Sequence, residues 1–145
     1  MRILGIDYGD SRIGLAVSDS LGITAQPLES YRVKSDKENT EYFKRLLEKF
    51  GIEEIVLGFP LRMNGTPGTR AQKTQAFALW LEKKFRLPVV LWDERLTTKQ
   101  ALRILSHQKI DRKVKKQKKD QISAVIILST YLESKRDKSH ASKDH

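Results

Sequence analysis

Two apolar runs, Arg2–Asp7 and Arg12–Ser18, are parted only by Tyr8-Gly9-Asp10-Ser11. Gly and Asp at that junction read as a tight turn, so the chain opens with two antiparallel strands of a hairpin. Residues Ile23 to Val33 add a third strand, and Pro27 makes its first half an edge or an irregular entry. Helix and strand patterns then alternate. Ser35 and Glu38 have capping-box spacing, Tyr42, Phe43, Leu46, Leu47 and Phe50 recur at helical steps, and Gly51 supplies the stop. Ile55-Val56-Leu57-Gly58-Phe59 is apolar without alternation, as a strand covered on both faces requires. A second helix is expected over Ala71–Phe85, with Thr74, Phe77, Ala78, Leu81 and Phe85 on one face. Pro88–Trp92 reads as another buried strand. Thr97 and Gln100 form a second capping box, opening a third helix that carries Ala101, Leu102, Ile104 and Leu105. A final apolar helix is expected from Asp120 to about Glu133. The fold class is α/β: a mixed five-stranded sheet, antiparallel in its first hairpin, with helices on both faces. Residues 1–133 form one domain, and the polar stretch 134–145 is expected to be a disordered tail.

At 145 residues and 39% hydrophobic, the chain can bury a real core within a single domain. Its charge of +10 points first to a polyanionic partner, with nucleic acid ahead of a membrane surface. Cysteine is absent, which excludes disulfides, thiolate zinc sites and cysteine nucleophiles. The opening MRILGIDYGDSRIG meets Gly and Asp too soon for a signal-peptide apolar region. The longest apolar stretch, Ile122 to Leu132, is broken by Ser123, Ser129 and Thr130 and falls short of the ~20 residues a membrane span needs. A soluble, cytoplasmic protein with no membrane partner is expected.

Three acids stand where an apolar sheet should not waste them. Asp7 ends the first strand, Glu94 follows the last, and Asp120 opens the final helix. In open α/β sheets, sites form beyond the carboxyl ends of strands. Clustered there, the three carboxylates would repel one another and need cations to coexist. Hard oxygen ligands suit Mg²⁺ or Mn²⁺. Two such ions about 4 Å apart could activate water and stabilise the leaving oxygen in phosphodiester hydrolysis. Each acid has a plainer role available. Asp7 could bind turn amides, Asp120 could be an N-cap, and Glu94 could join a surface ion pair. Asp93 competes with Glu94 as a ligand, and spacing alone does not separate them.

The segment Lys109–Lys119 holds seven Lys or Arg and one Asp, and contributes +6 of the net charge. It leads directly into Asp120 and puts a phosphate-attracting arm beside the proposed metal site. The loop from Gly58 to Arg70 enters a helix N-terminus and could cradle phosphate with backbone amides, assisted by Arg62 and Arg70. It lacks the Gly-Lys-Ser/Thr ending of an NTPase P-loop. His107, His140 and His145 have no metal-ligand spacing.

Gly5-Ile6-Asp7-Tyr8-Gly9 with Arg12-Ile13-Gly14 resembles the opening of the YqgF (RuvX) nucleases. So do Gly58-Phe59-Pro60-Leu61 with Gly65 and Gly68, the stretch Trp92–Thr98, and the Asp120 helix. The resemblance covers roughly residues 1 to 133. It implies an RNase H-like fold and carries the metal-binding, catalytic carboxylates onto Asp7, Glu94 and Asp120, choosing Glu94 over Asp93. It also raises Arg12, Arg62, Arg70 and Arg95 as phosphate contacts. Lys113, Lys115, Lys116, Lys118 and Lys119 of the basic arm would close over bound nucleic acid. The family is described as maturing the 5′ end of pre-16S rRNA, which is the expected function, and is regarded by fold similarity as Holliday-junction resolvases, which is the alternative.

The partner is therefore structured RNA or branched DNA. A junction resolvase needs two active sites, hence at least a weak homodimer, whereas an RNA-trimming enzyme works as a monomer. A non-catalytic nucleic-acid-binding module would keep the basic arm without needing all three acids. Asp7-Tyr8-Gly9 and Arg12 also resemble the phosphate loop of sugar kinases and actin-like ATPases. Those folds need two such domains and a second phosphate loop, and 145 residues leave room for neither.

Overall fold

The computed structural model describes residues 1–97 and 119–143, with the side chains of 96, 97, 119–121 and 138–143 outside that description. The N-terminal hairpin forms as expected from β1 (Arg2–Asp7) and β2 (Arg12–Ser18). β3 (Ala25–Arg32) pairs antiparallel with β2 and forms one edge of the sheet, where Pro27 costs no internal ladder bond. α1 (Asp36–Phe50) begins at Ser35, whose hydroxyl oxygen accepts the Glu38 N–H at 3.2 Å and donates to Glu38 Oε1 at 3.1 Å. It ends at Gly51, whose φ of 61° is the left-handed cap that glycine adopts without strain. β4 (Ile52–Phe59), α2 (Thr69–Phe85) and β5 (Val89–Asp93) follow, then a short 3-10 turn, Glu94–Thr97.

The sheet has five strands in the order β3-β2-β1-β4-β5, with β1, β4 and β5 parallel and the first hairpin antiparallel. Alternation along β1 builds two cores. Leu4 and Ile6 face α1 and α2, joining Phe43, Leu47, Leu57 and Leu81. Ile3 faces the other way, joining Val56, Ala124, Val125 and Leu128 of the last helix, α3 (Lys119–Lys143). Gly5 lets α3 settle onto β1, because a Cβ there would lie 2.7 Å from Leu128 Cβ.

Two expectations need correction. β5 was expected to be a buried strand, yet it lies at the other edge, half-buried, with Leu91 exposed. An apolar run reports a preference for burial and not a place in the strand order. The final helix runs on past Glu133 to Lys143, through the stretch expected as a disordered tail. No Gly or Pro interrupts Ser134–Lys143, and Lys135 reaches Glu54 Oε2 at 3.0 Å, which ties the helix beyond its apolar face. The expected third helix, with Gln100, Ala101, Leu102, Ile104 and Leu105, lies outside the described residues, as do Lys113, Lys115, Lys116 and Lys118. Among the described residues, no helix is long and apolar enough to cross a membrane.

Candidate active site

Asp7 is the last residue of β1, and Glu94 directly follows the last residue of β5. Both therefore stand at the edge where the three parallel strands end, with β4 between them. Gly58 is what allows them to meet. It pairs with Trp92 of β5, and its predecessor Leu57 pairs with Ile6 of β1. A Cβ on Gly58 would stand 2.8 Å from Glu94 Oε1 and 2.5 Å from Ile127 Cδ1. The Glu94 carboxylate thus lies over the β4 backbone, in space that any other residue would fill. Sequence reasoning placed Gly58 in the strand Ile55–Phe59 and at the start of the phosphate loop, and gave it no role beside Glu94. The available signal was a glycine near the carboxyl end of a buried strand, a mark of close approach.

The two acids sense one another. Glu94 is half-buried, and its carboxyl is held above the ordinary value chiefly by burial, then by the negative charge of Asp7. Arg70 pulls it back down and Asp93 adds to the rise. The Asp7 side chain is 16% exposed, and its Oδ1 lies 3.6 Å from an Arg70 guanidinium nitrogen in the first turn of α2. That arginine is 63% exposed, so the pair contributes little to stability and its importance is positional. Asp93 makes a surface ion pair. Arg95 donates to it from Nε at 3.1 Å and from its terminal nitrogen at 2.8 Å, which holds the Asp93 carboxyl below its usual range.

The direction of α3 bears on Asp120. Ile127 meets Gly58 near the end of β4, while Tyr131 and Lys135 meet Glu54 near its beginning. The helix therefore runs against the strand, and its first turn, where Asp120 stands, lies toward the edge that holds Asp7 and Glu94. The side chains of Asp120 and Lys119 lie outside the described residues. Among the described residues, no group of three or more His, Cys, Asp or Glu side chains is placed to hold a metal ion. The described part of the set is Asp7 with Glu94. Two half-buried carboxylates, one raising the proton affinity of the other, make a hard-oxygen donor pair that fits a divalent cation.

The arginines divide into two groups. Arg12 opens β2, is exposed, and shares the edge with Asp7 because β2 runs antiparallel to β1. Arg70 pairs with Asp7 directly. Arg62 and Arg95 instead lie against a small hairpin closed by the Leu61–Pro67 bridge: Arg62 beside Gly68, Arg95 beside Gly65. The amides expected to cradle phosphate are partly spent there. Arg62 N–H donates to Thr66 O, Gly65 N–H to Arg62 O and Thr66 N–H to Asn64 Oδ1. The start of α2 has Gly68 as its cap, with no side-chain hydrogen bond and no acid in the first turn. Its first amides and Arg70 thus present a positive end beside Asp7.

A sequence profile of the RuvX family, described as a Holliday junction resolvase, matches residues 1–134. The chain belongs to the RuvX family. A relative from Geobacillus sp. (strain WCH70), named "Putative pre-16S rRNA nuclease", is 46% identical over 140 residues, covering 94% of this chain and all of the relative. One of the same name from Halothermothrix orenii is 47% identical over 132 residues, covering 91% and 94% of the two chains. Among solved structures, T. thermophilus RuvC in complex with Holliday junction substrate matches with a TM-score of 0.56 at 16% identity, covering 94% of this chain and 96% of that one. Fowlpox virus resolvase with Holliday junction DNA matches at 0.57 and 15% identity, covering 92% and 98%. At such identities the likeness is one of fold, and this RuvX chain has the RNase H-like fold of those resolvases.

Proposed function

We propose that this protein is a metal-dependent nuclease that hydrolyses phosphodiester bonds in maturing the 5′ end of pre-16S rRNA. The observation that carries the reading is the meeting of Asp7 and Glu94 across Gly58, two acids held together despite mutual repulsion. Asp7, Glu94 and Asp120 would hold Mg²⁺ or Mn²⁺. When bound, two such ions supply an activated water and stabilisation of the leaving oxygen.

The chain's own residues do the rest. Half-burial of Asp7 and Glu94 limits competing water, and Gly58 keeps the Glu94 oxygens close to β4. Arg70, beside Asp7 at the positive end of α2, orients a phosphate, with Arg12 along the same edge. Arg62 and Arg95 hold the neighbouring hairpin and add positive charge there. Lys113, Lys115, Lys116, Lys118 and Lys119 attract the strand by counterion release. The ribosomal substrate is supported by the name borne by relatives 46–47% identical over nearly the whole chain. A ribosomal precursor as substrate implies a cytoplasmic protein.

The family description favours a second reading, cleavage of four-way DNA junctions. Wild type and Asp7→Asn are compared for Mg²⁺-dependent cleavage of a precursor-rRNA 5′ leader and of a four-way junction. Cleavage of the RNA alone, lost in the variant, is the expected result. Paired cuts in the junction alone would replace it with the resolvase. Binding of both substrates with cleavage of neither would remove the catalytic reading.

A further inference from the structure

On the face of the sheet opposite α3 lies a cavity of about 370 Å³, lined by Tyr8, Phe77, Trp80, Lys73 and Ala76 among others. That volume suits a small planar group. The Tyr8 and Phe77 rings are stacked with centroids 4.5 Å apart, and Phe77 stacks on Trp80 at 5.6 Å. All three rings are only half-buried. Phe77 and Trp80 also pack edge-on against the fully buried Phe43, which holds them rigid from the core side. Phe77 is the middle ring of this column, stacked on by Tyr8 and by Trp80, so a further ring can stack only on an end ring.

Two observations join this cavity to the carboxylates. Tyr8 directly follows Asp7, so the backbone at that point carries an acid and then a platform ring, Cα atoms ~3.8 Å apart. On α2, Arg70 pairs with Asp7, and Lys73, one turn further on, lines the cavity and pairs with Asp10 at 3.2 Å. Two exposed cations, each paired with an acid, thus stand between the acid edge and the cavity rim.

Two of the polar residues lining the cavity, Asp36 and Asn39, are already engaged. Asp36 Oδ1 accepts from Trp80 Nε1, and Asn39 Oδ1 accepts from the Tyr31 hydroxyl and the Lys34 amide. The lining therefore offers an aromatic face and Lys73, whose exposed pair with Asp10 a phosphate can displace, rather than a full hydrogen-bond code for one base. Stacking of this kind tolerates any base but requires that the base be unpaired.

We infer that the cavity is a subsite for an unpaired nucleobase of the substrate strand adjacent to the cleaved phosphate, with Tyr8, the end ring of the aromatic column, as platform and Lys73 at a neighbouring phosphate. The inference rests on the nuclease reading and deepens it: cleavage is directed to single-stranded RNA flanks.

The test places 2-aminopurine at successive positions of a short single-stranded RNA bound to Asp7→Asn protein, which binds without cutting. Fluorescence quenching confined to one position or two adjacent ones is expected. Ala76→Phe, a change at an exposed position lining the cavity, fills it. It should abolish that quenching and weaken RNA binding roughly tenfold, with an unchanged melting temperature showing that the fold survives. Tyr8→Leu should reduce the quenching while keeping apolar contact. Quenching that is uniform along the strand, or that survives Ala76→Phe, overturns the subsite, and continued Mg²⁺-dependent cleavage by wild type then leaves the nuclease reading standing. Absence of both RNA binding and cleavage overturns the two together.

Discussion

Replacing Gly58 with alanine probes the site at its tightest point. The added Cβ would lie 2.5 Å from Ile127 Cδ1 and 2.8 Å from Glu94 Oε1, against about 3.5–4.0 Å for a relaxed carbon contact. Each neighbour must withdraw by about 1 Å. Ile127, on α3, is 3% exposed, so its methyl cannot move without disturbing packed neighbours. Overpacking of that kind costs about 1–3 kcal/mol, which lowers the melting temperature of a domain this size by about 3–10 °C. The Glu94 carboxylate is displaced as well, so the rise in melting temperature on adding Mg²⁺ should shrink. Ile127→Val separates the two effects. It removes the Cδ1 that clashes and costs only about 0.5–1.5 kcal/mol alone. The double variant should lose less stability than the two single variants summed, while its Mg²⁺ response stays impaired. Thermal unfolding in EDTA and in Mg²⁺ reads both quantities. A Gly58→Ala protein with wild-type melting temperature and wild-type Mg²⁺ response refutes the close approach. Strict additivity with Ile127→Val refutes the assignment of the clash to Ile127.

Two further outcomes follow from the electrostatics and the second core. Because the Glu94 carboxyl is raised above its ordinary value of 4.5, the fold holds that proton more tightly than the unfolded chain does. Metal-free protein should therefore lose stability as pH rises from about 4.5 through the raised value, and Glu94→Gln should flatten this dependence. Melting curves in EDTA from about pH 4 to 8 check it, and superimposable profiles for the two proteins would contradict it. At the far end of α3, the Tyr131 hydroxyl donates to Glu54, which is 8% exposed and also meets Lys135. Tyr131→Phe leaves that buried acceptor short of a donor and should cost about 1–3 kcal/mol in denaturant unfolding. Cleavage by the remaining folded enzyme should be unaffected.

Local signals were legible wherever a short stretch determines its own conformation. The hairpin at Tyr8–Ser11, the Ser35–Glu38 cap and the Gly51 stop all depend on residues a few positions apart, and all three formed as expected. The acids at the strand ends were legible too, because Asp7 and Glu94 interrupt apolar runs. The contest between Asp93 and Glu94 was not decided by spacing. What the structure adds is that Arg95 pairs with Asp93, across the start of the 3-10 turn after β5.

The amino-acid sequence by itself determined the alternation of strands and helices, the antiparallel opening, the positive charge and which acids are available for chemistry. Each follows from local backbone preference and composition. The tertiary structure alone decided that β4 lies between β1 and β5, that Gly58 leaves room for a carboxylate, and that α3 runs against β4 with its first turn toward the acid edge. It alone also brought Tyr8, Phe77 and Trp80 together into one cavity. These are contacts between residues far apart in the chain, set by how two cores pack on opposite faces of one sheet. No local preference encodes the distance at which such faces come to rest.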